Sequence, residues 1–250
     1  METEKALLIA GKDLPEGGEL ASGASLQGRI TLITSASQDG DSGNGYRAVF
    51  WNRASALSAR TVVLSCINAA QHLDEVALVF DEAQYAAKFS RTSSSEIEQA
   101  LDEMILGYQF LTQELVVRFS QRKDVSPELH FAKISFLYKP NLSLAETVAS
   151  SSKGMMGAPS YPATAAAAAA FKAFAENTAA LLADNDQIVP VLVHCDPNND
   201  LSHRDSALAS WLCTYFDALD EAKKRPAPKQ LVSWVKAGAK KPGGMLGGLL

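Results

Sequence analysis

The stretch from Tyr161 to Pro197 decides the fold that we predict for this sequence. It begins Tyr161-Pro-Ala-Thr, continues through the alanine run 165–170 and Phe171-Lys-Ala-Phe174, and closes with Ile188-Val-Pro-Val-Leu-Val193-His-Cys-Asp-Pro197. Alanine is the strongest helix former, and a short continuous apolar run is typical of a strand buried on both faces. The stretch therefore predicts a helix of small residues, a turn at 184–186 and a buried strand.

The same alternation extends over the rest of the chain. Apolar runs that predict further strands lie at 6–10, 29–34, 47–52, 76–80 and 129–138. Helical periodicity predicts helices near 55–72, 96–119 and 205–223. The connections at 12–28, 35–45 and 141–160 are rich in Gly, Ser or Pro, so we expect a short or distorted helix in the first and loops in the other two.

Strands that alternate with helices predict an α/β protein, a doubly wound parallel sheet in three layers with helices on both faces. At 250 residues the chain is long enough for one large domain. We place this domain at 1–235 and a Gly/Lys-rich tail at 236–250.

The composition of the chain argues against several classes of function. The net charge of −5 argues against nucleic-acid and membrane-surface binding, because no basic excess exists to neutralise phosphates. The first residues lack an apolar signal core, and the alanine run is too weak to span a bilayer. Cys66, Cys195 and Cys213 are odd in number and far apart, which favours reduced thiols. We therefore expect a cytoplasmic protein with no nucleic acid and no membrane among its partners.

The element order, the step Leu73-Asp74 before the fourth strand, Tyr161 at the start of an alanine-rich helix and the strand that ends at Pro197 together resemble the short-chain dehydrogenase/reductase (SDR) family over about residues 5–220. The resemblance implies a Rossmann-like fold. It also implies an oxidoreductase that uses NAD(P) on a carbonyl or alcohol substrate.

The resemblance assigns cofactor-binding positions, which this sequence keeps only in part. Gly11 and Gly17 match the first and last glycines of the family's phosphate turn, but Pro15 stands at the middle one and has no amide hydrogen. An alternative placement starts the motif at 26–37. The family's Asn-Asn-Ala-Gly after the fourth strand is replaced by Phe80-Asp81-Glu82-Ala83, whose two acids would repel phosphates. Asn52, after the third strand, is the candidate adenine contact or a simple loop cap. We expect no NAD(P) binding or a weak one.

The catalytic positions that the resemblance assigns are equally incomplete. Tyr161 matches the catalytic tyrosine, and Ser135 is the best match to the serine that closes the fifth strand. Ala165 replaces the active lysine and Met104 replaces the asparagine. Substitutes from the loop before Tyr161 are Ser143, Ser150, Ser151, Ser152 and Lys153.

A metal site is the weaker interpretation of the polar residues after the sixth strand. These residues are His194, Cys195, Asp196, His203 and Asp205. Adjacent residues of a strand point to opposite faces, so His194 and Cys195 are poorly placed to share zinc. We predict no metal.

Three hypotheses follow for function. The first is a catalytically degenerate SDR-like protein that serves oligomerisation, partner binding or ligand sensing, as a homodimer or homotetramer through the helices at 96–120 and 161–182. The second is a divergent NAD(P)-dependent oxidoreductase that uses Tyr161 and Ser135. The third is a nucleotide-binding regulator without redox chemistry.

Overall fold

The computed structural model describes residues 4–38, 45–89, 93–121, 131–150, 159–222 and 224–240. In these ranges the strands form one seven-stranded sheet in which every paired strand is parallel. The strands are β1 (Ala6–Leu14), β2 (Ile30–Ser35), β3 (Tyr46–Phe50), β4 (Glu75–Asp81), β5 (Ala132–Lys139), β6 (Ile188–His194) and β7 (Val235–Lys236). Their order, β3-β2-β1-β4-β5-β6-β7, makes the sheet doubly wound. The predicted fold class is confirmed.

Helices cover both faces of the sheet. They are α1 (Gly18–Ser25), α2 (Ala56–Ala70), α3 (Glu82–Lys88), α4 (Ser94–Leu101), α5 (Gly107–Ser120), α6 (Leu144–Ser150), α7 (Pro162–Leu181), α8 (Asp200–His203), α9 (Asp205–Glu221) and α10 (Pro228–Leu231). A π-helical segment, Asp102–Leu106, joins α4 to α5. The described residues between β2 and β3 form no helix, as expected. None of the helices in the described part of the chain has the length and apolar character that a bilayer crossing needs.

The two faces of the sheet have separate apolar cores. Ile134, Phe136 and Leu192 point toward α2, α5 and α7. Leu137, Val191 and Val193 point toward α1 and α9. The strands β1, β2, β4, β5 and β6 are buried on both faces, which explains why they appear in the sequence as continuous apolar runs, whereas the edge strands β3 and β7 are partly exposed.

The local sequence explains why α7 begins at Pro162 and packs closely on the sheet. Pro162 stands at the first position of α7, where its missing amide costs nothing because that amide has no partner within the helix. The small alanine side chains bring α7 close to the sheet, and Phe171 packs with its ring centre 4.9 Å from that of Phe80. The helix therefore supplies one wall of the core.

Charged side chains anchor α9 at the N-terminal edge of the sheet. We call this group the base cluster, and its members are Lys5, Arg29, Glu75, Lys133, Asp217 and Asp220. Arg29 donates from Nε to Glu75 at 3.0 Å and from Nη2 to Asp217 at 2.8 Å. Three cations meet three anions, so these buried charges are paired.

Two short helices, α3 and α6, lie where the sequence predicts no helix. α3 begins directly at the end of β4, where the Asp81 side chain accepts a hydrogen bond from the amide of Gln84. α6 occupies part of the predicted loop at 141–160, and residues 151–158 of that loop lie outside the described ranges. Both helices have seven residues, which is too short for a clear helical period.

Candidate functional site

The candidate site lies where β1 and β4 end. Strand order reverses between these two strands, because β2 and β3 follow β1 on one side and β4 to β7 continue on the other. Open α/β sheets bind their ligands outside the carboxyl ends of the strands at such a reversal. We call this region the crevice, and two clusters of the protein's own side chains lie in it.

The first cluster centres on Arg53, which follows β3. Its Nη2 donates to the carbonyl oxygen of Gly11 at 3.0 Å and to the Asp13 carboxylate at 2.7 Å, and its Nη1 donates to the carbonyl oxygen of Glu103 at 3.0 Å and to the Tyr85 hydroxyl. The guanidinium carbon lies 4.8 Å from the ring centre of Trp51. Only 6% of the Arg53 side chain is exposed. We call Arg53, Asp13, Trp51, Tyr85 and Tyr108 the Arg53 cluster.

Tyr108 closes the Arg53 cluster over the first glycine. Its hydroxyl donates to the carbonyl oxygen of Val79 at 2.6 Å and lies 2.8 Å from the Tyr85 hydroxyl. A Cβ atom on Gly11 would collide with this hydroxyl and with the Val79 carbonyl, and the φ of Gly11 is +99°. Packing and backbone conformation therefore require glycine at this position, whether or not a phosphate ever binds.

The second cluster consists of Lys12, Asp81, Lys139 and Asp205, and we call it the Lys–Asp cluster. Lys12 Nζ lies 2.7 Å from Asp81 and 2.6 Å from Asp205. Lys139 Nζ lies 2.7 Å from Asp205 and 3.4 Å from Asp81. These side chains join the ends of β1, β4 and β5 to the first residue of α9.

The electrostatics of the Lys–Asp cluster keep Lys12 and Asp81 charged. Burial acts to lower the pKa of Lys12, but the carboxylates of Asp81 and Asp205 outweigh it and raise that pKa above its usual value. Burial acts to raise the pKa of Asp81, but Lys139 and Lys12 outweigh it and lower that pKa. Lys12 and Asp81 are therefore ionised at neutral pH.

The turn after β1 does not fit the pyrophosphate of a dinucleotide. A pyrophosphate needs free backbone amides in the turn after β1. Here the amide of Gly17 donates to the carbonyl oxygen of Asp13 and that of Gly18 donates to Pro15, each at 3.0 Å. The Asp13 carboxylate accepts from Thr34 and Arg53 in the same turn. Both amides are therefore used within the turn, and the side chain of Asp13 is bonded to Thr34 and Arg53.

The other predicted cofactor residues have structural partners as well. A Cβ atom on Gly17 would collide with the carbonyl oxygen of Lys12, so this glycine allows the turn to close. Asn52 is exposed, and its side-chain oxygen accepts from the amide of Ala54 at 3.1 Å. Asn52 thus makes the hydrogen bond of a loop cap, and its contact with an adenine stays a prediction.

The structure does not bring Tyr161 and Ser135 together. Tyr161 immediately precedes α7 and is partly exposed. Ser135 is fully buried in the middle of β5, which continues to Lys139, so it does not close the strand as the assignment requires. Its neighbours in the sheet, Ala77 and Val191, belong to the core that faces α1 and α9, whereas α7 covers the opposite face. The catalytic roles of both residues stay predictions.

The remaining catalytic positions lack the functional groups of the family. Met104 is buried in the π-helical segment. Ala165 lies in the first turn of α7 and cannot supply the positive charge of the family's lysine. Among the ion pairs and hydrogen bonds of the described residues, no cation contacts Tyr161 in its place. The substitutes Ser151, Ser152 and Lys153 lie outside the described ranges.

The residues after β6 are divided between the two faces of the sheet. His194 packs against Tyr138 and Trp234 on the side of α7, while Cys195 is buried in the core on the side of α9. Within the described ranges, the one group of three side chains close enough for a shared metal ion is Glu75, Asp217 and Asp220. These three carboxylates already pair with the cations of the base cluster.

Sequence reasoning missed most of the side chains that fill the crevice. They are Lys12, Asp13, Arg53, Tyr85, Tyr108 and Lys139, whereas Asp205 was considered only as a metal ligand. A signal was present, because a charged residue follows the apolar run directly in β4 and β5, and after one glycine in β1. The carboxyl ends of adjacent parallel strands meet at one edge, so such charges are expected to pair.

Comparison with known proteins agrees with this architecture. No protein-family model and no curated protein sequence matches the chain. A short-chain dehydrogenase from Mycobacterium smegmatis superimposes with a TM-score of 0.60 at 13% identity, covering 96% of this chain and 93% of its own. The 3-ketoacyl-(acyl-carrier-protein) reductase from Brucella melitensis, complexed with NADH, gives 0.58 at 15% identity, covering 94% and 97%.

A doubly substituted short-chain dehydrogenase/reductase from Serratia marcescens gives a TM-score of 0.55 at 12% identity, covering 94% of this chain and 97% of its own. Identities at this level speak for the fold alone, since one fold hosts many functions. This chain has the fold of the short-chain dehydrogenases/reductases.

Proposed function

We propose that this chain is a non-catalytic protein of the SDR fold that acts by assembling with other copies of itself and with protein partners. The observation that supports this proposal most strongly is the Arg53 cluster, whose buried side chains bond to one another and fill the crevice. Binding a dinucleotide there would break the Arg53–Asp13 pair and leave buried charges without partners, which is costly. We therefore propose that NAD(P) binds weakly or not at all.

The assembly surface that we propose consists of α4, α5 and α7, within the predicted ranges 96–120 and 161–182. Four large apolar side chains on α4, the π-helical segment and α5 are exposed: Ile97, Leu101, Leu106 and Val117. The outer side of α7 carries the exposed alanines Ala166, Ala169 and Ala173. Small side chains allow a close approach of helices, and most soluble oligomers are closed and symmetric. We propose a homodimer or homotetramer built on this surface.

Leu101→Glu tests the assembly, because it places a charge at a side chain that is 48% exposed on the proposed surface. Leu26→Glu is the matched control, because Leu26 is 79% exposed on the other side of the sheet, after α1. Light scattering after size exclusion should give a multiple of 26.7 kDa for the wild type and the control, and a smaller particle for Leu101→Glu. A wild-type chain that is monomeric at high concentration contradicts the proposal.

A divergent NAD(P)-dependent oxidoreductase is the second candidate. It is supported by the full-length likeness to oxidoreductases, one of them solved with NADH, and by a tyrosine at the start of α7. The test is NADPH and NADH oxidation over a panel of carbonyl compounds. Turnover that is lost in Tyr161→Phe would establish this candidate and refute the first.

We also propose that the protein resides in the cytoplasm. Its three cysteines are free and buried. Burial raises the pKa of Cys66 to about 12, so this thiol is unreactive at neutral pH. Free thiols are usual in reducing compartments.

A further inference from the structure

Asp205 holds two ammonium groups with one carboxylate. Its Oδ2 lies 2.6 Å from Lys12 Nζ and its Oδ1 lies 2.7 Å from Lys139 Nζ. Lys12 is in β1 and Lys139 ends β5, with β4 between them in the sheet. The two cations therefore converge from two strands on one bidentate oxyanion.

The carboxylate comes from another layer of the protein. Asp205 is the first residue of α9 and follows the short helix α8, whereas both lysines belong to the sheet. The side chains of Lys12, Lys139 and Asp205 are 11%, 15% and 10% exposed, so they lie just beneath the surface. A change of the Asp205 rotamer toward solvent would uncover both ammonium groups while α9 stays packed on α1.

Charge balance makes the lysine pair receptive to an anion. With Asp205 in place, the Lys–Asp cluster has two cations and two anions. Without it, Lys12 and Lys139 face Asp81 alone, and the cluster has one positive charge in excess. An uncompensated excess of buried positive charge is unfavourable, so an incoming oxyanion would take the position that Asp205 leaves.

We propose that Lys12 and Lys139 form a binding site for a small oxyanion, a carboxylate or a phosphate, and that Asp205 is the internal occupant that this ligand must displace. The site takes its charge from two side chains and uses no amide of the turn after β1. The inference goes beyond the proposed function, because it concerns a ligand of the crevice and would stand or fall independently of assembly.

Inorganic phosphate is the probe, titrated by calorimetry at constant ionic strength against the wild type and Asp205→Asn. The asparagine keeps the size of the side chain and removes its charge. We expect weak phosphate binding in the wild type and at least tenfold tighter binding in Asp205→Asn. Asp196→Asn is the matched control: it makes the same change in net charge at the same edge, and Asp196 pairs only distantly, with Lys236 at 3.8 Å. This control should bind as the wild type does.

Lys139→Gln in the wild-type and in the Asp205→Asn background identifies the site, because it should abolish phosphate binding in both. A parallel titration with acetate distinguishes a carboxylate site from a phosphate site. Three results would overturn the proposal. The first is an equal affinity of Asp205→Asn and Asp196→Asn for phosphate. The others are a wild type that does not bind phosphate, and phosphate binding that survives Lys139→Gln. If Asp205→Asn does not fold, the wild type and Lys139→Gln decide alone, through the rise in melting temperature with phosphate.

Discussion

Replacing Arg53 with alanine should destabilise the protein more than any other single change in the crevice. The substitution removes a cation that is bonded to the end of β1, to the π-helical segment and to α3. It also removes the cation that pairs with the Asp13 carboxylate, which is 15% exposed and keeps the hydrogen bond from the Thr34 hydroxyl. The native state loses a cross-link that joins three elements.

The expected loss of stability in Arg53→Ala follows from the burial of the Arg53–Asp13 ion pair. Removing one partner of a buried ion pair costs about 3–5 kcal/mol. Because Asp13 is near the surface and water can reach it, we expect a value at the lower end, about 3 kcal/mol. For a chain of this length that corresponds to a fall in melting temperature of roughly 6–12 °C.

Urea denaturation followed by circular dichroism measures the free energy of unfolding. Arg47→Ala is the control, because Arg47 is exposed on the edge strand β3 and makes one long hydrogen bond, 3.4 Å to the carbonyl oxygen of Ala69. A surface change of this kind should stay within about 0.5 kcal/mol. If Arg53→Ala costs less than about 1 kcal/mol, Arg53 is not a structural cross-link, and the reasoning from buried pairs fails for this crevice.

Two further predictions concern α9. Burial acts to raise the pKa of Asp217, but hydrogen bonds from Arg29 and Lys5 outweigh it and lower that pKa. A lowered folded-state pKa gives stability that is present above the ordinary value of about 3.9 and is lost as the pH falls through the folded value. Urea midpoints should therefore drop between neutral pH and about pH 3, and drop less in Asp217→Asn; an equal drop would contradict this role. Gly23→Ala would place Cβ 2.5 Å from the Ser206 carbonyl oxygen where α1 meets α9, so it should cost about 1–3 kcal/mol in thermal unfolding; wild-type stability would contradict the close contact.

The fold was predictable because local signals agreed with one another. Pro162 followed by a run of alanines specifies a helix wherever it packs. Ser93 and Glu96 form the capping box that their spacing predicts at the start of α4. Strands buried on both faces appear in the sequence as apolar runs. Each signal lies within a few residues of the element it specifies.

The site was much less predictable, because its contacts are distant in sequence. Arg53 meets Asp13 across 40 residues and Glu103 across 50, and no periodicity states which cation meets which anion. Ser135 was assigned to close the fifth strand, but the apolar residues Phe136 and Leu137 continue β5 beyond it, and the strand ends at Lys139. The resemblance supplied a list of expected positions, but not the side chains that fill the space between them.

Binding of NADH and NADPH to the purified wild-type protein tests the central claim most directly. Calorimetry gives the affinity, and the melting temperature with and without cofactor gives an independent readout. We expect no heat of binding and no thermal shift at millimolar cofactor. A micromolar affinity, with the stabilisation of about 2.7 kcal/mol that mass action requires at a hundredfold excess over Kd, would contradict a crevice that is filled by Arg53 and its partners.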